Sequence, residues 1–258
     1  TKGFVITRMG EDIEFSIRCI SLGFKSGLIP EAFIYHKRRT SFKQFYKQIH
    51  SFMPQISSKS FALSSTSLQW MIWEITEDLP FFQTFPENWT TKKDHEIVSQ
   101  KKLESSAARF CLWNVCQQIS KGPWDLRKDD RNRPYFDQSD YHISLSHSFP
   151  FVAAVISHKK PVGIDLERFG RQVEKIGPRF LSAEEWNRWQ NSHADLTKAW
   201  TCKEAVYKAM GVPGLAFQQD IQLPSFANNP FEIRVKDKKI TISMEEFEHF
   251  ACSIAIED

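Results

Sequence analysis

The sequence predicts an α+β protein: two similar-sized α+β halves that meet near residue 156, preceded by a small separate segment, residues 1–52. Three observations carry that expectation. Short runs with apolar residues at every second position recur along the body and read as half-buried strands. Between them lie two runs with helical spacing, 96–120 and 196–211, too long for strands. Charge divides the chain unevenly: residues 1–52 hold nine Lys/Arg and four Asp/Glu, net +5, whereas the remaining residues hold 25 and 27, net −2.

Taken in order, residues 10–18 open a helical pattern with Ile13, Ile17 and Ile20 on one face. A turn at Gly23 and Gly27 follows, then an extended piece at 33–35 and the basic run His36-Lys37-Arg38-Arg39. Met53-Pro54 reads as a fresh start. The serines at 57, 58, 60, 64 and 65 read as a linker. Residues 68–75 alternate as a strand, with Leu68, Trp70 and Ile72 on one face. The helix over 96–120 places Leu103, Ala107 and Phe110 together and ends at Gly122-Pro123. Residues 132–136 form a turn entering a short strand, and 143–148 and 151–156 are strand-like. Arg168 to Pro178 lacks periodicity and is expected to be a mobile loop. Ser182-Ala183-Glu184-Glu185 is a capping box, starting a helix whose Trp186 and Trp189 are expected to pack. The helix from Leu196 stops at Gly211, and three strand patterns, at 231–235, 239–244 and 250–256, complete the chain.

Composition narrows the function. At 41% hydrophobic and 25% charged the chain has the makeup of a soluble globular protein. It contains no apolar run of membrane-spanning length and no signal-peptide pattern, which predicts a cytoplasmic location without a membrane partner. The near-neutral body offers no electrostatic footprint for nucleic acid. The five cysteines are odd in number and lack C-x-x-C spacing, so reduced thiols rather than zinc or disulfides are expected.

The chemistry concentrates in two stretches. Val162-Gly163-Ile164-Asp165-Leu166-Glu167 reads as a buried strand, in which alternation sends Asp165 and Glu167 to one side. Trp200 to Lys208 reads as a helix with Trp200, Glu204 and Lys208 on one face. If the helix packs beside the strand, Asp165, Glu167 and Glu204 converge. Three carboxylates raise one another's pKa unless a cation sits between them. All-oxygen ligands suit a hard divalent ion, and Mg2+, which shares oxygens with substrate phosphates, fits best. Lys203 and Lys208 suit a phosphorylated substrate.

The spacing Gly-Ile-Asp-Leu-Glu, then Phe-Leu-Ser-x-x-Glu, then Trp-x-x-Lys-Glu-Ala-x-x-Lys-Ala-x-Gly resembles the 4′-phosphopantetheinyl transferases over about residues 67–256. In length the body resembles the Sfp-type branch, monomers of two pseudo-symmetric α+β halves. The resemblance implies Asp165, Glu167 and Glu204 as Mg2+ ligands, with Glu204 also the general base. It implies Lys203 beside the site and Lys208 at the diphosphate of coenzyme A, Lys208 sharing the catalytic role. It further implies His147 and Arg109 near the 3′-phosphate and Arg133 near the adenosine. Asn132, where the family has glycine, and Ser144, where asparagine is common, are departures.

What the resemblance implies is transfer of phosphopantetheine from coenzyme A to a serine of an apo acyl, aryl or peptidyl carrier protein, releasing 3′,5′-ADP. Carrier proteins present acidic helices, which Arg171, Lys175 and Arg179 could meet. A coenzyme A-binding module with little catalysis is the alternative. Residues 1–52 resemble the end of a family 2 glycosyltransferase catalytic domain, with Asp12 at the base position. About fifty residues cannot build that domain alone, so a remnant or fusion segment is expected.

Overall fold

The computed structural model describes residues 57–63, 66–82, 89, 99–119, 122, 124–170 and 173–258. Every expectation for residues 1–52, including the glycosyltransferase resemblance, and for Arg171 lies outside the described residues. Residues 56–258 form one compact unit.

Two four-stranded antiparallel sheets dominate it. The first runs β1–β2–β6–β5, from β1 (Ser57–Leu63), β2 (Thr66–Glu74), β5 (Tyr141–Ser148) and β6 (Phe151–His158). The second runs β7–β10–β9–β8, from β7 (Val162–Arg168), β8 (Phe231–Val235), β9 (Lys238–Glu246) and β10 (Phe250–Glu257). A small hairpin, β3 (Leu126–Lys128) with β4 (Pro134–Phe136), forms a separate two-stranded sheet that packs beside β5. Each sheet is crossed by one long helix: α2 (Ser99–Ile119) covers the first and α5 (His193–Met210) the second. The remaining helices are α1 (Leu79–Phe82), α3 (Val173–Phe180), α4 (Ala183–Trp189) and α6 (Phe217–Asp220). No helix among the described residues is long and apolar enough to cross a membrane.

The pattern of burial follows from this layering. Trp70, Ile72 and Val155 of the first sheet meet Ile164, Leu166 and Ile254 of the second, so the sheets share a core. The central strand β6 is buried along both faces, and its residues 151–156 are an unbroken apolar run. A second core lies beneath α5, where Ala205, Val206 and Ala209 pack on Ile233, Ile240 and Ile242.

Two stretches depart from the sequence expectation. The serine-rich linker is largely strand β1, paired with β2 from Ser57↔Ile72 to Leu63↔Thr66. Ladder bonds come from backbone groups, so a polar sequence at a sheet edge can supply them. The expected loop after Arg168 contains helix α3, whose Val173, Ile176 and Phe180 pack into the second core. Gly177 is needed there: a Cβ on it would fall 2.3 Å from the Trp186 ring. The other helix signals hold. Ser182 and Glu185 form a reciprocal capping box at α4, and Trp189 is buried and stacks on Phe226 at 4.6 Å. Helix α5 ends in a left-handed Gly211 at φ 61°.

Candidate active site

Helix α5 crosses β7 at Gly163, where a Cβ would come within 2.0 Å of the Ala205 carbonyl oxygen. Only glycine permits that approach, and it brings the Glu204–Lys208 face of the helix onto the acidic strand. Lys208 Nζ donates to Asp165 Oδ1 at 2.7 Å, to the Ile164 carbonyl at 2.9 Å and to the Leu145 carbonyl at 3.2 Å. All three ammonium protons are thereby used. Glu204 is pushed up to about 7, first by burial and then by the charge of Asp165, with Lys208 pulling the other way. Its carboxyl forms no hydrogen bond or ion pair among the described residues.

The three expected carboxylates are not gathered into one cluster. Asp165 and Glu204 feel each other's charge, but Glu167 turns to β5, accepting from Ser148 Oγ at 2.6 Å and from the Arg168 backbone N–H at 3.0 Å. Among the described residues no three His, Cys, Asp or Glu side chains are arranged to hold a metal ion. The donor set nevertheless fits a hard divalent cation. Every candidate ligand is oxygen, and Glu204 lies partly buried beside the charge of Asp165.

A cleft of ≈ 820 Å³ opens beside Glu204 and Lys208, lined also by Asn132, Arg133, Tyr135 and Tyr207. Asn132, where the resemblance leads one to expect glycine, adopts φ 62°, a left-handed conformation that asparagine tolerates better than most residues. Arg133 pairs through Nε with Asp129 at 2.7 Å and donates from Nη1 to the Gly211 carbonyl at the end of α5. His147 is exposed on β5, with Nδ1 3.2 Å from Glu104 Oε2; Gln100 Nε2 holds the other oxygen of Glu104 at 3.1 Å.

Two expected binding residues are elsewhere. Lys203 is fully buried, its ammonium donating to Glu185 Oε2 at 2.7 Å and to the Ile221 and Phe217 carbonyls at 2.7 and 2.8 Å. Adjacent helical residues point about 100° apart, so Lys203 cannot share the face of Glu204. Its partner Glu185 was visible as the last member of the capping box and of Phe-Leu-Ser-x-x-Glu, but not as a partner of Lys203. Arg109 is buried too, donating to the Trp89 carbonyl at 3.0 Å and the Ser105 carbonyl at 3.2 Å. It ties α2 to Trp89 rather than facing the cleft. The sequence reading also passed over Ser146 and Ser148, whose hydroxyls reach Asp165 and Glu167. Serine at every second position of β5 was the available signal.

Fold and site together define a class: two sheet-and-helix units whose seam carries a buried acid–lysine group beside an open, partly cationic cleft. The comparisons with known proteins converge on that seam. Residues 161–255, a stretch that contains β7 and α5 and most of β10, match the model of the 4′-phosphopantetheinyl transferase superfamily. The chain is 37% identical over 91 residues to the 4′-phosphopantetheinyl transferase gsp of Aneurinibacillus migulanus, covering 33% of this chain and 38% of that protein. It is 30% identical over 111 residues to a 4′-phosphopantetheinyl transferase of Bacillus subtilis, covering 41% and 45%. A holo-[acyl-carrier-protein] synthase of Mycoplasma mobile is 42% identical over 55 residues, 19% of this chain and 51% of that protein. The chain thus spans about half or less of the length of these curated relatives. None of the three is a glycosyltransferase.

Proposed function

We propose that the protein transfers the 4′-phosphopantetheine group of coenzyme A to a serine hydroxyl of an apo carrier protein. The observation that carries this reading is the Asp165–Lys208–Glu204 group, set beside the cleft within the stretch that matches the superfamily.

The carrier serine Oγ forms a bond to the β-phosphorus, the bond from that phosphorus to the bridging oxygen breaks, and 3′,5′-ADP leaves. A serine hydroxyl is a weak nucleophile near neutrality, so a base must accept its proton. Glu204, pushed up to about 7, is suited to take that proton near neutral pH. Lys208 supplies positive charge against the diphosphate oxygens once coenzyme A competes for it. Arg133 and His147 bind the adenosine and 3′-phosphate end and position the diphosphate. Asp165, Glu167 and Glu204 would hold Mg2+, which supplies neutralisation of the diphosphate charge when bound. The exposed Lys175 and Arg179 of α3 offer a cationic face for an acidic carrier helix.

Incubation of the chain with coenzyme A, Mg2+ and a panel of apo carrier proteins tests the reading. Mass spectrometry should show one phosphopantetheinyl group added at the carrier serine, with release of 3′,5′-ADP. Coenzyme A binding without modification of any carrier, under conditions where a known transferase modifies the same panel, would replace it with the binding-module alternative.

A further inference from the structure

The edge strands β5 and β7 belong to different sheets, yet they run in the same direction with a constant offset. The backbone N–H groups of Ile164, Leu166 and Arg168 donate to the hydroxyls of Ser144, Ser146 and Ser148 at 3.1, 3.2 and 3.3 Å. Side-chain oxygens here do what carbonyl oxygens do in a parallel ladder. All three serines are buried. A hydroxyl that accepts from a backbone amide still has one proton to give. Ser146 gives it to Asp165 Oδ1 at 2.7 Å and Ser148 to Glu167 Oε1 at 2.6 Å. Among the described residues Ser144 bonds no carboxylate.

From this contrast we infer that Ser146 and Ser148 are positioning residues of the acidic site, orienting Asp165 and Glu167 for a divalent cation, whereas Ser144 only closes the seam. The inference rests on the metal-dependent reading above. Both donors to Asp165, Ser146 and Lys208, converge on Oδ1. Oδ2 therefore takes no hydrogen bond among the described residues and is left to a ligand. With Ser146 removed, Lys208 alone governs the carboxylate, and the salt bridge competes with the cation for its orientation.

Binding of Mn2+ as a probe, followed by its electron paramagnetic resonance signal, separates positioning from seam closure. Ser144→Ala and Ser146→Ala each strand one buried N–H of β7, so both should lower the unfolding midpoint comparably. Only Ser146→Ala should weaken Mn2+ binding, by roughly 10–100-fold as for loss of other partners that orient metal ligands. Ser146→Thr, which keeps the hydroxyl, should restore it, and Ser148→Ala gives a second, independent loss should Ser146→Ala fail to fold. Equal Mn2+ affinity in Ser144→Ala and the two other alanine variants would overturn the inference. A wild-type chain that binds no Mn2+, with or without coenzyme A, would instead remove the metal-dependent reading and the inference with it.

Discussion

Gly163 lies so close to the carbonyl oxygen of Ala205 that a methyl group on the glycine would fall 2.0 Å from that oxygen and 2.7 Å from the Ala209 nitrogen. Both contacts are backbone atoms of α5, which cannot yield as a flexible side chain does. Gly163→Ala should therefore cost at or above the upper end of the roughly 1–3 kcal/mol typical of overpacking. Relief requires α5 to lift from β7, which draws Glu204 and Lys208 away from Asp165. Urea unfolding should show the loss of stability, and the folded fraction should lose transferase activity. A variant as stable as wild type would contradict the packing.

Lys203 gives a sharp test because sequence and structure assign it different work. Glu185 uses both oxygens, accepting from Lys203 and the Ser182 N–H at one and from the Leu223 N–H at the other. Lys203→Ala leaves a buried carboxylate without its partner and should cost about 3–5 kcal/mol. Coenzyme A affinity, measured by calorimetry on folded variants, should stay near wild type. A large loss of affinity with stability intact would return Lys203 to the cleft.

These two residues show how much of the molecule could be read from the chain. Gly163, Asp165, Glu204 and Lys208 sit in one strand and one helix whose periodicities are plain, so their faces could be assigned and their meeting anticipated. Lys203 follows the same helix pattern, but its partners are carbonyls of Phe217 and Ile221 in a later segment, and no local spacing announces them. Arg109 is similar, since its acceptor on Trp89 lies twenty residues away. Helix α3 was hidden by Gly177 and Pro178, residues that usually break helices; Gly177 is tolerated because Trp186 fills the space a side chain would need. The serine rungs of β5 have the strand alternation expected of them, but their role depends on a neighbour in another sheet.

Glu204 makes stability depend on pH in a defined direction. Its folded-state pKa, about 7, lies above the ordinary 4.5. Between those values the native state holds a proton that the unfolded chain releases, so this group's contribution to stability falls as pH rises through the window and levels off above it. Glu204→Gln should abolish that component of the slope. Urea midpoints of wild type and variant at about pH 5 and about pH 8 should therefore converge at the acidic end relative to the alkaline one, where the variant gains. Stabilisation by added Mg2+ should grow across the same interval, because a cation binds the ionised carboxylate. A pH-independent difference between the two proteins would mean that Glu204 titrates normally.

The proposed carrier-facing surface can be tested without touching the proposed coenzyme A site. Lys175 and Arg179 are one turn apart on α3 and both exposed, while the acidic strand and α5 lie in other elements. Reversing both to glutamate places like charges opposite an acidic carrier helix, and rim charges of this kind act mainly on encounter. The KM for the carrier should rise by about tenfold, a change of about 1.4 kcal/mol, and the effect should shrink as salt screens the pair. The KM for coenzyme A and the unfolding midpoint should not move. If carrier kinetics were unchanged at low ionic strength, the carrier would have to dock on another face of the molecule.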